Sequence, residues 1–158
     1  MTAGGDAVER GTLTVEGRPE NLDRLRDFVE QTLRRIGAPE PAILDLLVVL
    51  DEVVANIVKY GYAGLPPGPI RVTLFGGPDR VVLQIADHAR PFDPAQAPPP
   101  DLTSDWFERP LGGLGWHLVR HLTDEMHYAP DPQGGNVLTL VKRLDRAARD
   151  GGTQELPA

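Results

Sequence analysis

LDLLVVLDEVVANIVKYG, residues 44–61, is the stretch from which the rest of the chain is read. It is nearly unbroken in apolar and helix-compatible residues, has no internal Gly or Pro, and stops at Gly61, so it predicts one long helix. A helix so apolar all round belongs in the core of its domain. At roughly 100° per residue, Asp45, Glu52, Asn56 and Lys59 fall within about a 60° sector of it. A carboxylate, an amide and an ammonium in one stripe are costly to bury unpaired. Something polar and charged has to meet them. A nucleotide with its metal ion suits the stripe better than solvent does; the alternative is an internal polar network.

With 158 residues, the chain suits one domain able to bury a core without covalent cross-links. It contains no cysteine, which excludes a disulfide scaffold, thiolate metal sites and thiol catalysis, and fits a cytoplasmic protein. No apolar run is long enough to span a bilayer, and the first residues, MTAGGDAVER, lack the apolar segment of a signal peptide. A net charge of −7 argues against a general nucleic-acid or anionic-membrane surface and suits a protein partner with a basic patch.

Residues 1–10 read as a loose start and residues 11–17 as a half-exposed strand with Leu13 and Val15 on one face. Pro19 suits a first helical turn. Leu22, Leu25, Val29, Leu33 and Ile36 then follow at helical spacing until Gly37, with the Arg and Glu residues between them forming a solvated face. Pro39 and Pro41 open the central helix. Beyond it, residues 70–75 and 80–86 read as a hairpin joined by GGPD. Periodicity is then lost from residue 87 to 111, where prolines accumulate; a run of this length is expected to be a functional lid. A short helical turn is expected near residues 101–107, pinned by Trp106 and Phe107. A helix starting on GGLG, a strand over residues 125–129 and a final strand over residues 137–144 complete the domain, followed by a polar tail from residue 145 to 158. This order predicts an α+β fold: a mixed, mostly antiparallel sheet covered on one face by about three helices.

Three segments carry the chemistry. In the first, Glu52 could accept a proton from a hydroxyl, Asn56 could offer one oxygen to a hard cation that keeps water and phosphate oxygens in its shell, and Lys59 could offset phosphate charge. In the second, IADHARPFDP, Asp87 lies where a strand leaves the sheet; its carboxylate either accepts a hydrogen bond from an exocyclic amine such as that of adenine or caps a local turn. The third, Gly112-Gly113-Leu114-Gly115, opens a helix whose first N–H groups suit phosphate. Trp116 reads as core. His117 and His121 are spaced i,i+4 but lack the context of a zinc site, and no metal is assigned to the histidines.

In this order and spacing the segments resemble the GHKL (Bergerat-fold) ATPase and kinase superfamily, and within it the stand-alone bacterial anti-sigma factor serine/threonine kinases of partner-switching systems. DEVVANIVKYGY resembles the family's N box, IADHARPFDP its G1 box, and PLGGLGWHLVRHLTDE with GGNVLTLVKRL its G2 box and closing strand. The resemblance covers residues 11–144 and implies a Bergerat-type two-layer sandwich that binds ATP and Mg²⁺. It implies Glu52 as general base, Asn56 as the Mg²⁺ ligand, Lys59 near the phosphates and Asp87 on the adenine amine. Gly113, Leu114 and Gly115 would line the phosphate end, and Arg109 is a candidate for sensing the γ-phosphate from the lid.

Two positions depart from the family's pattern. Ala89 stands where the G1 box normally has glycine; if that position needs φ > 0, alanine strains it by about 1 kcal/mol or more. Asn136 stands where a threonine usually supports adenine through water. The resemblance implies a kinase acting on a STAS-type anti-anti-sigma protein, sequestration of a sigma factor, and a homodimer. The competing expectation is a non-catalytic, nucleotide-dependent binding module, to which Ala89 and Asn136 lend weight.

Overall fold

The computed structural model describes residues 7–96 and 111–145, with the backbone alone of residues 111–114. Strands β1 (Val8–Glu16), β2 (Pro69–Gly76), β3 (Arg80–Asp87), β4 (Glu125–Pro130) and β5 (Asn136–Arg143) form one sheet in the order β1-β2-β3-β5-β4. Every neighbouring pair is antiparallel, so among the described residues the sheet is wholly rather than mostly antiparallel. The GGPD hairpin is closed by Gly77 N–H donating to the Arg80 carbonyl at 2.9 Å. β1 begins at Val8, opposite Gly76, inside the stretch expected to be loose.

The sheet alternates as pleating requires. Val81, Leu83 and Ile85 of β3 and Leu138 and Leu140 of β5 point into the core shared with the helices. Among the described residues three α-helices cover that face, as expected of an α+β fold. α1 (Leu22–Arg35) buries Leu25, Val29 and Leu33 and is followed, past its cap at Ile36, by Gly37, whose φ of +76° suits a residue without a side chain. α2 (Glu40–Asn56) lies between α1 and α3 (Leu111–Leu122), in contact with both. It buries Ile43, Leu46, Leu47, Val49, Leu50, Val53 and Val54.

Two features of the central stretch differ from expectation. Leu44 and Val48 remain 54% and 38% exposed, so the helix is not enclosed all round. The α-helix also ends at Asn56; residues Ile57–Gly61 continue as a wider π-turn, a distortion often found at functional sites. Asp45, at the other end of α2, meets Lys142 of β5 at 2.9 Å, and the same ammonium donates to the Leu122 carbonyl at the end of α3 at 2.8 Å. One cation therefore holds both helices to the sheet, and Asp45 is answered by the protein rather than by a ligand. No helix among the described residues is long and apolar enough to cross a membrane.

Leu50, fully buried under α2, gives a direct test of this packing. Leu50→Ala is expected to destabilise the fold by about 2–5 kcal/mol in equilibrium denaturation; a loss below about 1 kcal/mol would mean that α2 does not lie on the sheet as described.

Candidate functional site

The site is built where the three segments meet. Gly115, in the first turns of α3, faces α2 so closely that a Cβ on it would lie 2.6 Å from Glu52 Oε2 and 3.7 Å from Asn56 Nδ2. Backbone therefore stands directly against the carboxylate and the amide. Asn56 Nδ2 donates to the Glu52 carbonyl one turn back at 2.8 Å, while its Oδ1 accepts no hydrogen bond from the described residues. That bond fixes which way the amide points.

The π-turn connects this pair to the second segment. Arg90 N–H donates to the Gly61 carbonyl at 3.2 Å, and the Ala89 methyl lies 2.8 Å from where a Cβ on Gly61 would be. The Tyr62 hydroxyl accepts from His88 N–H at 2.9 Å and donates to the Pro69 carbonyl at 2.7 Å. Burial pushes the Tyr62 phenol above its ordinary pKa.

Asp87 ends β3 and is only 3% exposed. Its Oδ1 accepts from Ala89 N–H at 2.8 Å and from Asn136 Nδ2 at 2.9 Å. The first of these is the local turn cap that the residue type suggests. Burial raises the carboxyl's pKa, and the two donated hydrogen bonds oppose that rise. Among the described residues Oδ2 has no hydrogen-bond donor, so it is the oxygen left for a ligand. Asn136 is paired with Asp87 across β3 and β5. Its side chain also donates to the Arg90 carbonyl and accepts from Phe92 N–H and the Tyr128 hydroxyl.

The start of the expected lid is held rather than structureless. The Phe92 ring stacks on Trp116 of α3 at 5.9 Å, and the Arg120 guanidinium donates to the Pro94 carbonyl. Trp116 is buried as expected, and it serves this contact as well.

The structure thus brings Glu52, Asn56 and Gly115 together directly and joins them through residues 61 and 62 to Asp87, Ala89 and Asn136. Lys59 lies in the π-turn, where the α-helical period no longer holds, and is exposed. Gly113 and Leu114 lie in the first turn of α3, the helix that the glycine segment was expected to open. Arg109, Trp106 and Phe107 lie outside the described residues. Ala89 does not have positive φ, since no non-glycine residue among those described does, so its backbone conformation does not call for glycine. The sequence did not single out Tyr62, Tyr128 or Gly135. At Gly135, φ is +103° and a Cβ would come within 2.0 Å of the Asp87 carbonyl. The Gly-Gly pair before Asn136 was a usable signal of that close approach, but it read only as a turn.

A family model for the histidine kinase-like ATPase domain matches residues 15–142. The chain belongs to this family. Among similar proteins, the serine-protein kinase RsbW of Listeria monocytogenes is 27% identical over 132 residues, covering 81% of this chain and 84% of its own. RsbW of Bacillus licheniformis is 29% identical over 143 residues, covering 86% of each. The serine/threonine-protein kinase BtrW of Bordetella bronchiseptica is 35% identical over 96 residues, 61% of this chain and 67% of its own. A crystal structure of the RsbU and RsbW domains of Rv1364c from Mycobacterium tuberculosis shares the fold, with a TM-score of 0.55 and 22% identity over 85% of this chain, which spans 32% of that one. As a histidine kinase-like ATPase the chain binds ATP, and the expected family, fold and enzyme class agree with these matches.

Gly115→Ala separates site geometry from stability. Alanine is the better helix former by about 0.5–1 kcal/mol, but its methyl must displace the Glu52 carboxylate. Thermal unfolding should stay level or rise slightly while ATP-dependent turnover falls roughly tenfold or more; unchanged turnover would show that Glu52 does not depend on its present position.

Proposed function

We propose that this chain is an ATP-dependent protein serine/threonine kinase and anti-sigma factor whose phosphorylated partner is a small STAS-type anti-anti-sigma protein. The observation that carries this is the meeting of Gly115 with Glu52 and Asn56: an acid, and an amide whose oxygen has no donor among the described residues, set directly against helix backbone. Glu52 takes the proton from the incoming serine or threonine hydroxyl as that oxygen bonds to the γ-phosphorus and the bond to ADP breaks.

The donor set suits Mg²⁺. The Asn56 amide oxygen is the single protein ligand it would need besides phosphate oxygens and water, and no cluster of three His, Cys, Asp or Glu side chains forms a protein cage among the described residues. When bound, the ion neutralises phosphate charge. Asp87 accepts from the adenine amine through Oδ2. Gly115 with the rest of the first turn of α3 approaches the phosphates, and Lys59 and Arg109 are assigned to that end by resemblance.

The same molecule sequesters a sigma factor when its antagonist is phosphorylated. It works as a cytoplasmic homodimer without direct nucleic-acid contact, and β1, a sheet edge, is a suitable strand for self-association. The non-catalytic reading loses one support, since Ala89 does not have positive φ.

Transfer of label from ATP to a STAS protein encoded nearby tests the reading; tight ATP binding without transfer to the correct partner would overturn it. Glu52→Gln should lower transfer by about 10²–10⁴-fold with nucleotide affinity retained, and equal activity would refute the base assignment. Asn56→Ala should remove the gain in ATP affinity that Mg²⁺ brings, as followed by titration with and without the ion.

A further inference from the structure

Every hydrogen-bonding position of the Asn136 side chain is in use. Its Nδ2 donates to Asp87 Oδ1 and to the Arg90 carbonyl, both at 2.9 Å. Its Oδ1 accepts from Phe92 N–H at 2.8 Å and from the Tyr128 hydroxyl at 2.7 Å. A primary amide has two N–H groups and two lone pairs, so nothing is left for a nucleotide or for a water touching one. The partners also fix which way the amide points: flipped, it would set its oxygen against a carboxylate and a carbonyl, and its NH₂ against a backbone N–H.

We infer that Asn136 is a positioning residue that acts on the base through Asp87, not a direct or water-mediated ligand of the nucleotide. This rests on Asp87 being the acceptor for an exocyclic amine. Two donors on Oδ1, from Ala89 and Asn136, fix the plane of the carboxylate and therefore the direction of Oδ2. The same amide holds residues 90 and 92, so the acceptor and the chain beside it are set before any ligand arrives. A hydroxyl in this place has one proton to donate. It could not hold Asp87 Oδ1 and the Arg90 carbonyl together.

The test is a comparison of two ligands. ATP and purine riboside triphosphate, which lacks the 6-amino group, are titrated against wild type, Asn136→Ser and Tyr128→Phe, with folding checked by thermal melts. Wild type should prefer ATP by roughly tenfold or more, the value of a hydrogen bond to a charged acceptor. In Asn136→Ser the preference should fall to about twofold, with affinity for the amine-free analogue changed by less than about threefold. A merely structural role would weaken both ligands alike and keep their ratio, so a retained ratio in folded Asn136→Ser overturns the inference. If wild type itself shows no preference, the Asp87 assignment fails first and this inference falls with it. If Asn136→Ser does not fold, Tyr128→Phe decides, because it removes only one peripheral bond: the preference should drop about two- to threefold, and an undiminished ratio is the overturning result.

Discussion

The backbone of α3 can lie against Glu52 and Asn56 only because residue 115 has no Cβ, and much of the architecture serves that contact. It requires α2 to be the middle helix of the layer, with α3 on one flank. It also requires α2 to carry polar side chains on the flank that α3 covers and apolar ones toward the sheet. Lys142 secures the arrangement from below by answering both Asp45 of α2 and the terminal carbonyl of α3. An ion pair this accessible contributes about 1 kcal/mol or less on its own. Its value lies in joining three elements at one point. Antiparallel pairing of β3 with β5 then brings Asp87 opposite Asn136, so residues far apart in sequence share one end of the sheet.

The two ends of the site are built differently. Around Asp87 and Asn136 the polar groups are buried and bonded to one another, with Asp87 Oδ2 left without a donor among the described residues. Such a network is rigid, since moving one member would leave others unpaired in a region with little water. Around Glu52 and Asn56 the side chains are only partly buried, and the Asn56 oxygen has no partner among the described residues. In the proposed kinase, that end would accommodate groups whose charge and position change during reaction. The Phe92–Trp116 stack and the Arg120 bond to Pro94 span the two ends, tying the chain that leaves Asp87 to the helix that faces Glu52.

Elements that depend on local periodicity were legible in the sequence. The apolar run of α2, the i, i+3, i+4 spacing of α1 and the alternation of β3 each follow from burial on one face, and the three motifs located Glu52, Asn56, Asp87 and Gly115. What was not legible depends on distant partners. The π-turn at residues 57–61 breaks the α-helical phase that had aligned Lys59 with Asn56, and nothing in those five residue types announces it. Asp45 looked like part of a ligand-facing stripe because Lys142, nearly a hundred residues later, is invisible to a helical wheel. The Tyr62 hydroxyl bonds both His88 N–H and the Pro69 carbonyl, and the Tyr128 hydroxyl bonds Asn136 on the neighbouring strand; neither spacing nor composition gives a signal for these contacts.

Ala89 shows how a departure from a motif can be absorbed by packing. Backbone strain at positive φ was one reason to expect a cost there, and Ala89 does not have positive φ. Volume is the constraint that remains: the Ala89 methyl is buried, at the place where a side chain on Gly61 would collide with it. The backbones of residues 61 and 90 are also bonded across the same contact, so neither strand of chain can move aside. One methyl fits between them and two do not. The π-turn must therefore end in glycine as long as position 89 carries a side chain. This contact joins the end of the helix bearing Glu52 and Asn56 to the turn that Asp87 caps. The alanine is accommodated by a glycine twenty-eight residues away, a compensation that belongs to the pair of segments and to neither motif alone.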